Sequence, residues 1–127
     1  MSIPLTLCLD QQKYGICRLL PSEPLPVWVP NSDFYSITKT MEELSIVCAL
    51  EQIPTGILCE RDWRSLKIEG TLDFSLIGIL SSISTILAQS KISIFAISTY
   101  DTDYILVKDK DIEDAITALT KQGYRII

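Results

Sequence analysis

Residues 75–99, SLIGILSSISTILAQSKISIFAIST, change their apolar period part-way along, and this change decides the fold. The first part spaces its apolar residues at steps of three and four, as a helix with one buried face does: Leu76, Ile79, Leu80, Ile83, Ile86 and Leu87. Ser75 is a candidate N-cap for this helix, and Asp73 is the alternative one turn earlier. The second part, KISIFAIST, is rich in β-branched and aromatic residues and predicts a strand.

The flanking segments complete a regular order of elements. WRSLKIEG, residues 63–70, predicts a strand before the helix, and YILVK, residues 104–108, predicts another after a turn at residues 100–103. DIEDAITALTKQG, residues 111–123, predicts a second helix that Gly123 ends, and YRII predicts a last strand. The order is β-α-β-β-α-β, which predicts the α+β class and the ferredoxin-like plan.

The first half of the chain carries mainly strand signals. LTLCLD, residues 5–10, alternates along its length, and YGICRLL, residues 14–20, follows closely enough to predict an antiparallel hairpin. The proline-rich residues 21–30 predict a rigid crossover with at most one helical turn. FYSITKT and LSIVCAL predict a second hairpin. A helix over residues 42–50 is the competing interpretation, and we favour the strand because serine and β-branched residues dominate there.

A length of 127 residues suits one ordinary domain or two very small ones. The pattern changes after EQIPTGILCERD, which contains both a proline and a glycine. We therefore predict a β-rich N-terminal unit over residues 1–60 and a ferredoxin-like unit over residues 61–127. One interpretation of the first unit is a copy of the same β-α-β-β-α-β plan with reduced helix content.

Composition excludes several classes of function. The net charge of −5 disfavours nucleic acid and anionic membranes as partners, because phosphate binding needs clustered Lys and Arg. The absence of histidine excludes histidine-assisted serine or cysteine catalysis. The four cysteines form no C-x-x-C pair and are expected to be free, buried thiols. The N-terminus lacks the pattern of a secretory signal, so we predict a cytoplasmic protein. We expect no enzyme activity, no metal and no cofactor.

Four aspartates surround the last strand pair of the chain. They do not match a calcium-binding loop, because Ile105 and Leu106 fall where that loop needs a third oxygen ligand and a glycine. Asp109 and Asp111 bracket the start of the second helix, where Asp111 is expected to cap free N–H groups. Asp101 and Asp103 share a turn, and turns favour aspartate for structural reasons alone.

The same turn is also a candidate binding site. In a βαββαβ unit, the loop before the first helix, GTLDFSLIG, lies at one end of the sheet. The N–H groups of that helix start can bind a carboxylate. If STYDTD lies at the neighbouring edge, it offers Ser98, Thr99 and a carboxylate. The two segments together would suit a zwitterion.

The segments EGTLDFSLIGIL and ISIFAISTYDTDYILVK resemble the ACT domain, a small ligand-binding regulatory module, and FYSITKTMEELSIVC also fits. The chain is most similar to short stand-alone bacterial ACT proteins related to the cytosolic arginine sensors of animals. The resemblance extends from about Leu5 to Ile127 and implies two ACT-like units in tandem, a homodimer, and a small ligand, typically an amino acid, held at an interface between units.

The resemblance also implies ligand-binding positions. The strand after the first helix and its turn correspond to Ile97, Ser98, Thr99 and Asp103, with Asp103 facing a cationic group and Asp101 beside it. The helix-start loop corresponds to Asp73, Phe74, Ser75, Leu76 and Gly78. Many ACT domains have Asp-x-Pro-Gly before this helix, whereas this chain has Ser-Leu-Ile-Gly, which leaves Asp73 as the substitute for the aspartate.

Two hypotheses of different class follow. The first is a non-catalytic regulatory protein that binds an amino acid. The alternative is an assembly module that pairs with itself or with another protein and binds no small molecule, which the apolar second half of the chain would support.

Overall fold

A computed structural model describes residues 5–69 and 78–127, which form two compact units. One unit comprises residues 12–63, and the other comprises residues 64–127 together with the first eleven residues of the chain. The described elements are β1 Thr6–Leu19, β2 Ser36–Lys39, β3 Leu44–Ala49, β4 Cys59–Ile68, α1 Ile79–Gln89, β5 Ile94–Ser98, β6 Asp103–Lys108, α2 Ile112–Lys121 and β7 Arg125–Ile126.

The unit of residues 12–63 is built on an antiparallel ribbon. Strand β3 pairs with β1 on one side and with β2 on the other, so the predicted hairpin of β2 and β3 and the strand over residues 44–49 are confirmed. The proline-rich crossover contains one short 3-10 turn, Val29–Asn31. The buried core of this unit contains Cys17, Val29, Leu44, Ile46, Cys48 and Ile53.

The predicted hairpin over residues 5–20 is wrong, because Thr6–Leu19 form one uninterrupted strand. The intervening segment, residues 11–13, contains no glycine, proline, asparagine or aspartate, which are the residues that favour tight turns. The two ends of β1 therefore pair with different strands. Residues 14–19 pair with β3, and Thr6 and Leu7 pair with β7 in parallel.

The second unit has the predicted order of strands and helices and one addition. Its strands lie in the order β7-β1-β4-β6-β5. The start of β1 thus lies between the first and last strands of the β-α-β-β-α-β plan, and the unit includes residues that the sequence assigned to the N-terminal half. Helices α1 and α2 pack on a core of Leu7, Leu66, Ile68, Ile83, Leu87, Ile105, Val107, Ala115 and Leu119.

Both helices end in the same hydrogen-bonded motif. After α2, Gly123 has φ +93° and donates to Thr120 O, while Tyr124 donates to Leu119 O. This is a Schellman motif, so the predicted glycine end is confirmed. After α1, Lys91 occupies the left-handed position with φ +59°.

The two helix starts differ from the sequence expectation. Asp111 is at the N-cap of α2, but its side chain makes no capping hydrogen bond because a 3-10 turn, Asp109–Asp111, leads directly into the helix. The N-cap of α1 is Gly78, with φ +83°. The alternative caps Ser75 and Asp73 lie outside the described residues.

Candidate functional site

The turn between β5 and β6 is held by hydrogen bonds between two threonines. Thr99 N–H donates to Thr102 O at 2.8 Å, and Thr102 N–H donates to the Thr99 hydroxyl at 3.2 Å. The Thr99 hydroxyl itself donates to Thr102 O at 3.0 Å. The turn therefore spans residues 99–102, and the predicted turn at 100–103 is shifted by one residue. Asp103 begins β6, where it pairs with Ser98.

Thr102 also anchors the turn to the rest of the unit. Its side chain is buried, and its hydroxyl donates a 2.8 Å hydrogen bond to the carbonyl oxygen of Ile68. Ile68 is the last residue of β4, so the turn is fixed beside the point where the chain leaves that strand toward α1. Thr102 was not among the site residues predicted from the sequence. The spacing of Thr99 and Thr102, typical of side-chain turns, is the signal that could have identified it.

The other predicted residues of this segment line the end of the β5–β6 hairpin. Ser98, Thr99 and Asp101 are exposed, whereas Ile97 and Asp103 are half-buried. Ser98 and Asp103 are direct cross-strand partners, and Ile97 is the partner of Tyr104. The structure thus places Ser98 and Asp103 on one face of the hairpin end, next in the chain to Thr99 and Asp101, whereas Ile97 lies on the opposite face. Tyr100, at the tip of the turn, is 81% exposed.

The helix-start residues are only partly within the described chain. Gly78 is exposed and accepts the first helical hydrogen bond of α1, from Ser82 N–H at 2.8 Å. The hydrogen bonds of Thr99 and Thr102 join them to each other and to Ile68, not to Gly78. Asp73, Phe74, Ser75 and Leu76 lie outside the described residues, so their place beside the turn stays a prediction.

Two charged contacts of β4 support the same unit. Arg64 forms an ion pair with Asp109 at 3.3 Å and donates two further bonds to Asp10 O, at 3.2 and 3.4 Å. The carboxylate of Asp109 therefore has a structural partner in the guanidinium of Arg64. Lys67 lies over the ring of Tyr104, with its ammonium nitrogen 6.0 Å from the ring centre, beside Asp103 in the sequence.

A concave surface lies between the helices α1 and α2. This cavity of about 340 Å³ is polar along most of its rim, and its lining residues are Ile86, Gln89, Ser90, Asp114, Thr117, Ala118, Lys121 and Gln122. None of these residues was predicted as a site. Within residues 5–69 and 78–127, no set of three or more Cys, Asp or Glu side chains is arranged to hold a metal ion.

The chain matches two family models. The sequence model of the ACT domain matches residues 58–121, just over half of the chain, so the protein belongs to the ACT domain family. A second family model, which describes an N-terminal domain, matches residues 12–56. The predicted α+β ACT fold is confirmed for the C-terminal part.

Two solved structures are similar to this chain over nearly its whole length. The Agrobacterium tumefaciens protein Atu0741 is 35% identical, with a TM-score of 0.94 over 99% of this chain and 94% of its own. The regulatory subunit of aspartate kinase from Thermus thermophilus superposes with a TM-score of 0.61 over 91% and 95% of the two chains, at 15% identity, which shows a shared fold.

A human relative matches at the level of sequence. The protein CASTOR3P is 32% identical over 92 residues, which make up 62% of this chain. The aligned part spans about half of that relative, 56% of its length. Among the helices of the described chain, none is both long and apolar enough to cross a lipid bilayer.

Proposed function

We propose that this protein is a non-catalytic regulatory protein that binds an amino acid at the end of the β5–β6 hairpin. The observation that carries the proposal is the hydrogen bond from Thr102 to Ile68, which fixes the polar turn beside the end of β4. Residues 70–77 follow β4 in the chain and lead to α1. A ligand at this edge would meet both the turn and the helix-start loop, as the family resemblance implies.

The side chains of the hairpin end suit the cationic part of such a ligand. Asp103 is half-buried opposite Ser98, so a carboxylate and a hydroxyl face the same small area. Partial burial strengthens an ion pair relative to one in open water. We propose that Asp103 binds the ligand's ammonium group or side-chain cation, and that Ser98 and Thr99 supply supporting hydrogen bonds. Asp73, Phe74, Ser75, Leu76 and Gly78 would receive the carboxylate.

A homodimer would complete the site. Strand β5 stands at the end of the strand order, bonded to β6, so its other edge can accept a strand from a second copy. Parallel pairing of two β5 strands would place the hairpin ends of the two copies near one another. The fold shared with a regulatory subunit of aspartate kinase supports a regulatory role.

We also propose that residues 12–63 form the second, reduced ACT-like unit. We further propose that the protein is related to the arginine sensors and that it is cytoplasmic.

A thermal-shift screen tests this function. The purified protein is heated in the presence of each standard L-amino acid at millimolar concentration, with the D-enantiomers as matched controls. A ligand that binds only the folded protein raises the melting temperature by mass action. We expect one or a few L-amino acids to raise it and their D-enantiomers to raise it less. The absence of a shift with every amino acid would contradict the proposal.

The alternative, an assembly module without a small ligand, rests on Tyr100. A tyrosine that is 81% exposed at the tip of a turn is a suitable anchor for a protein partner. This alternative predicts that Tyr100→Ser weakens self-association in light scattering and that no amino acid changes the melting temperature.

A further inference from the structure

Three of the four cysteines meet in the unit of residues 12–63. The thiols of Cys48 and Cys59 both lie close enough to the thiol of Cys17 to raise its pKa. Cys17 and Cys48 are fully buried, whereas Cys59 is partly exposed. Cys8, the fourth cysteine, belongs to the other unit. Three thiols in contact form a cluster, which we call the thiol cluster, and the proposed ligand site does not use it.

The backbone of β1 makes room for the thiol cluster at Gly15. Gly15 is the cross-strand partner of Cys48, and it stands two residues before Cys17 on the same face of β1. A Cβ at Gly15 would lie only 2.8 Å from the sulfur of Cys59. The sulfur of Cys59 therefore lies over the glycine, on the face of β1 that also carries Cys17.

The strand register selects one pair within the cluster. Strands β1 and β4 are antiparallel, because Glu69 N–H donates to Thr6 O while Arg18 N–H donates to Leu58 O. Because the second bond pairs Arg18 with Leu58, the adjacent residues Cys17 and Cys59 lie opposite each other on the two strands. Residues that face each other in antiparallel strands have Cα atoms about 4.5–5.5 Å apart, within the range that a disulfide spans.

The other possible pair has a less favourable position. Cys48 lies opposite Gly15, while Cys17 lies opposite Ile46. Cys17 and Cys48 are thus diagonal neighbours, which have Cα atoms about 7–8 Å apart in antiparallel strands, beyond the usual disulfide range. Within the described residues, no three such side chains are arranged to bind a metal ion.

We propose that Cys17 and Cys59 form an intramolecular disulfide when the protein meets a hydroperoxide, and that Cys59 is the residue oxidised first. The sulfur of Cys59 takes an oxygen atom from the peroxide to form a sulfenic acid, and the peroxide is reduced to water or an alcohol. The sulfur of Cys17 then attacks the sulfur of Cys59. The S–O bond breaks, the S–S bond forms, and water leaves with the proton of the Cys17 thiol.

Burial determines the order and the conditions of these steps. Only Cys59 of the three thiols reaches the surface, so a small oxidant meets it first. Its pKa is raised from the ordinary value by burial, and the pKa of Cys17 is raised by its contact with the Cys48 thiol and by burial. Both thiols are protonated at neutral pH, so the reaction requires an excess of hydrogen peroxide and a reductant reverses it.

Thiol counting and peptide mapping test the proposal. The reduced protein is treated with excess hydrogen peroxide, denatured and assayed with a thiol reagent, and its peptides are mapped without reduction. We expect the wild-type protein to fall from four thiols to two, with Cys17 and Cys59 in one cross-linked peptide. Cys8→Ser and Cys48→Ala should still lose two thiols each, whereas Cys59→Ser should lose none to a disulfide.

A trapping experiment separates the two cysteines. In Cys17→Ala the sulfenic acid of Cys59 has no partner, so a dimedone adduct at Cys59 should accumulate, several-fold above that of the wild type. Circular dichroism of each reduced variant shows that it is folded. The proposal is overturned if wild-type protein keeps four thiols, if the cross-link joins Cys17 to Cys48, or if Cys48→Ala prevents the loss of thiols.

Discussion

The hydroxyl of Thr102 donates a 2.8 Å hydrogen bond to the carbonyl oxygen of Ile68, and the threonine is only 4% exposed. This bond connects the β5–β6 turn with the last residue of β4. It satisfies a buried carbonyl and fixes the position of the carboxylates that border the turn. The arrangement of the candidate site therefore depends on a residue that does not itself face the ligand.

Replacing Thr102 should destabilise the protein and loosen the turn. Thr102→Val keeps the shape but leaves the Ile68 carbonyl without its donor, which costs about 1–3 kcal/mol of the free energy of unfolding. Thr102→Ser should recover most of the loss. Urea unfolding measures the difference. The control is Thr117→Val, at an exposed helical threonine whose hydroxyl bonds Glu113 O, and it should change stability by less than about 0.5 kcal/mol. Equal effects at the two positions would contradict the anchoring role.

The two helix ends offer a matched pair of substitutions. Lys91 adopts φ +59°, a region that disfavours residues with a Cβ, whereas Gly123 adopts φ +93° without cost. Lys91→Gly should therefore stabilise the protein by about 0.5–1 kcal/mol, and Gly123→Ala should destabilise it by about 1 kcal/mol. Thermal unfolding of both variants measures this. A destabilised Lys91→Gly would show that the lysine side chain contributes more than its backbone costs.

Arg64 should not tolerate replacement by lysine. Its guanidinium reaches both Asp10 O and the carboxylate of Asp109, and a lysine ammonium cannot span two acceptors in that fork geometry. We expect Arg64→Lys to lose about 1–2 kcal/mol of unfolding free energy. Arg18→Lys is the control, because the Arg18 side chain is exposed and, among the described residues, donates one hydrogen bond, to Glu42 O at 2.9 Å. Arg18→Lys should lose less unfolding free energy than Arg64→Lys. An equal loss would contradict the stabilising role of the two-acceptor geometry at Arg64.

The two aspartates at the end of the β5–β6 hairpin should differ in their effect on binding. Asp101 is exposed on the turn, while Asp103 is half-buried opposite Ser98. An exposed charge interacts weakly through water, so Asp101→Asn should change amino-acid affinity by less than about threefold. Equilibrium dialysis with a labelled amino acid measures it. A loss at Asp101 larger than that at Asp103 would move the cation contact to the tip of the turn.

Sequence periodicity was sufficient to predict most of the second unit. The apolar steps of α1 and α2 and the strands around them follow directly from local pattern, because each helix buries one face on a single sheet. The ribbon of β2 and β3 could be predicted for the same reason. The Schellman end at Gly123 was also predictable, since a left-handed position calls for glycine.

Long-range pairing could not be predicted in the same way. The two strand-like segments over residues 5–10 and 14–20 predicted a hairpin, yet β1 continues through them because its two ends pair with strands far apart in the sequence. Thr102 was missed because its role depends on a carbonyl 34 residues earlier in the chain. The contact of Cys17 with Cys48 and Cys59 likewise requires three strands to meet.

The most direct test of the account is the affinity of Asp103→Asn for the L-amino acid that most raises the melting temperature of the wild type. Isothermal titration calorimetry gives the two dissociation constants, with Glu113→Gln, an exposed acid on α2, as the charge-matched control. We expect Asp103→Asn to bind at least about tenfold more weakly, a loss of about 1.4 kcal/mol, while the control binds like the wild type. An unchanged affinity in Asp103→Asn, or no saturable binding by the wild type, would contradict the proposed site.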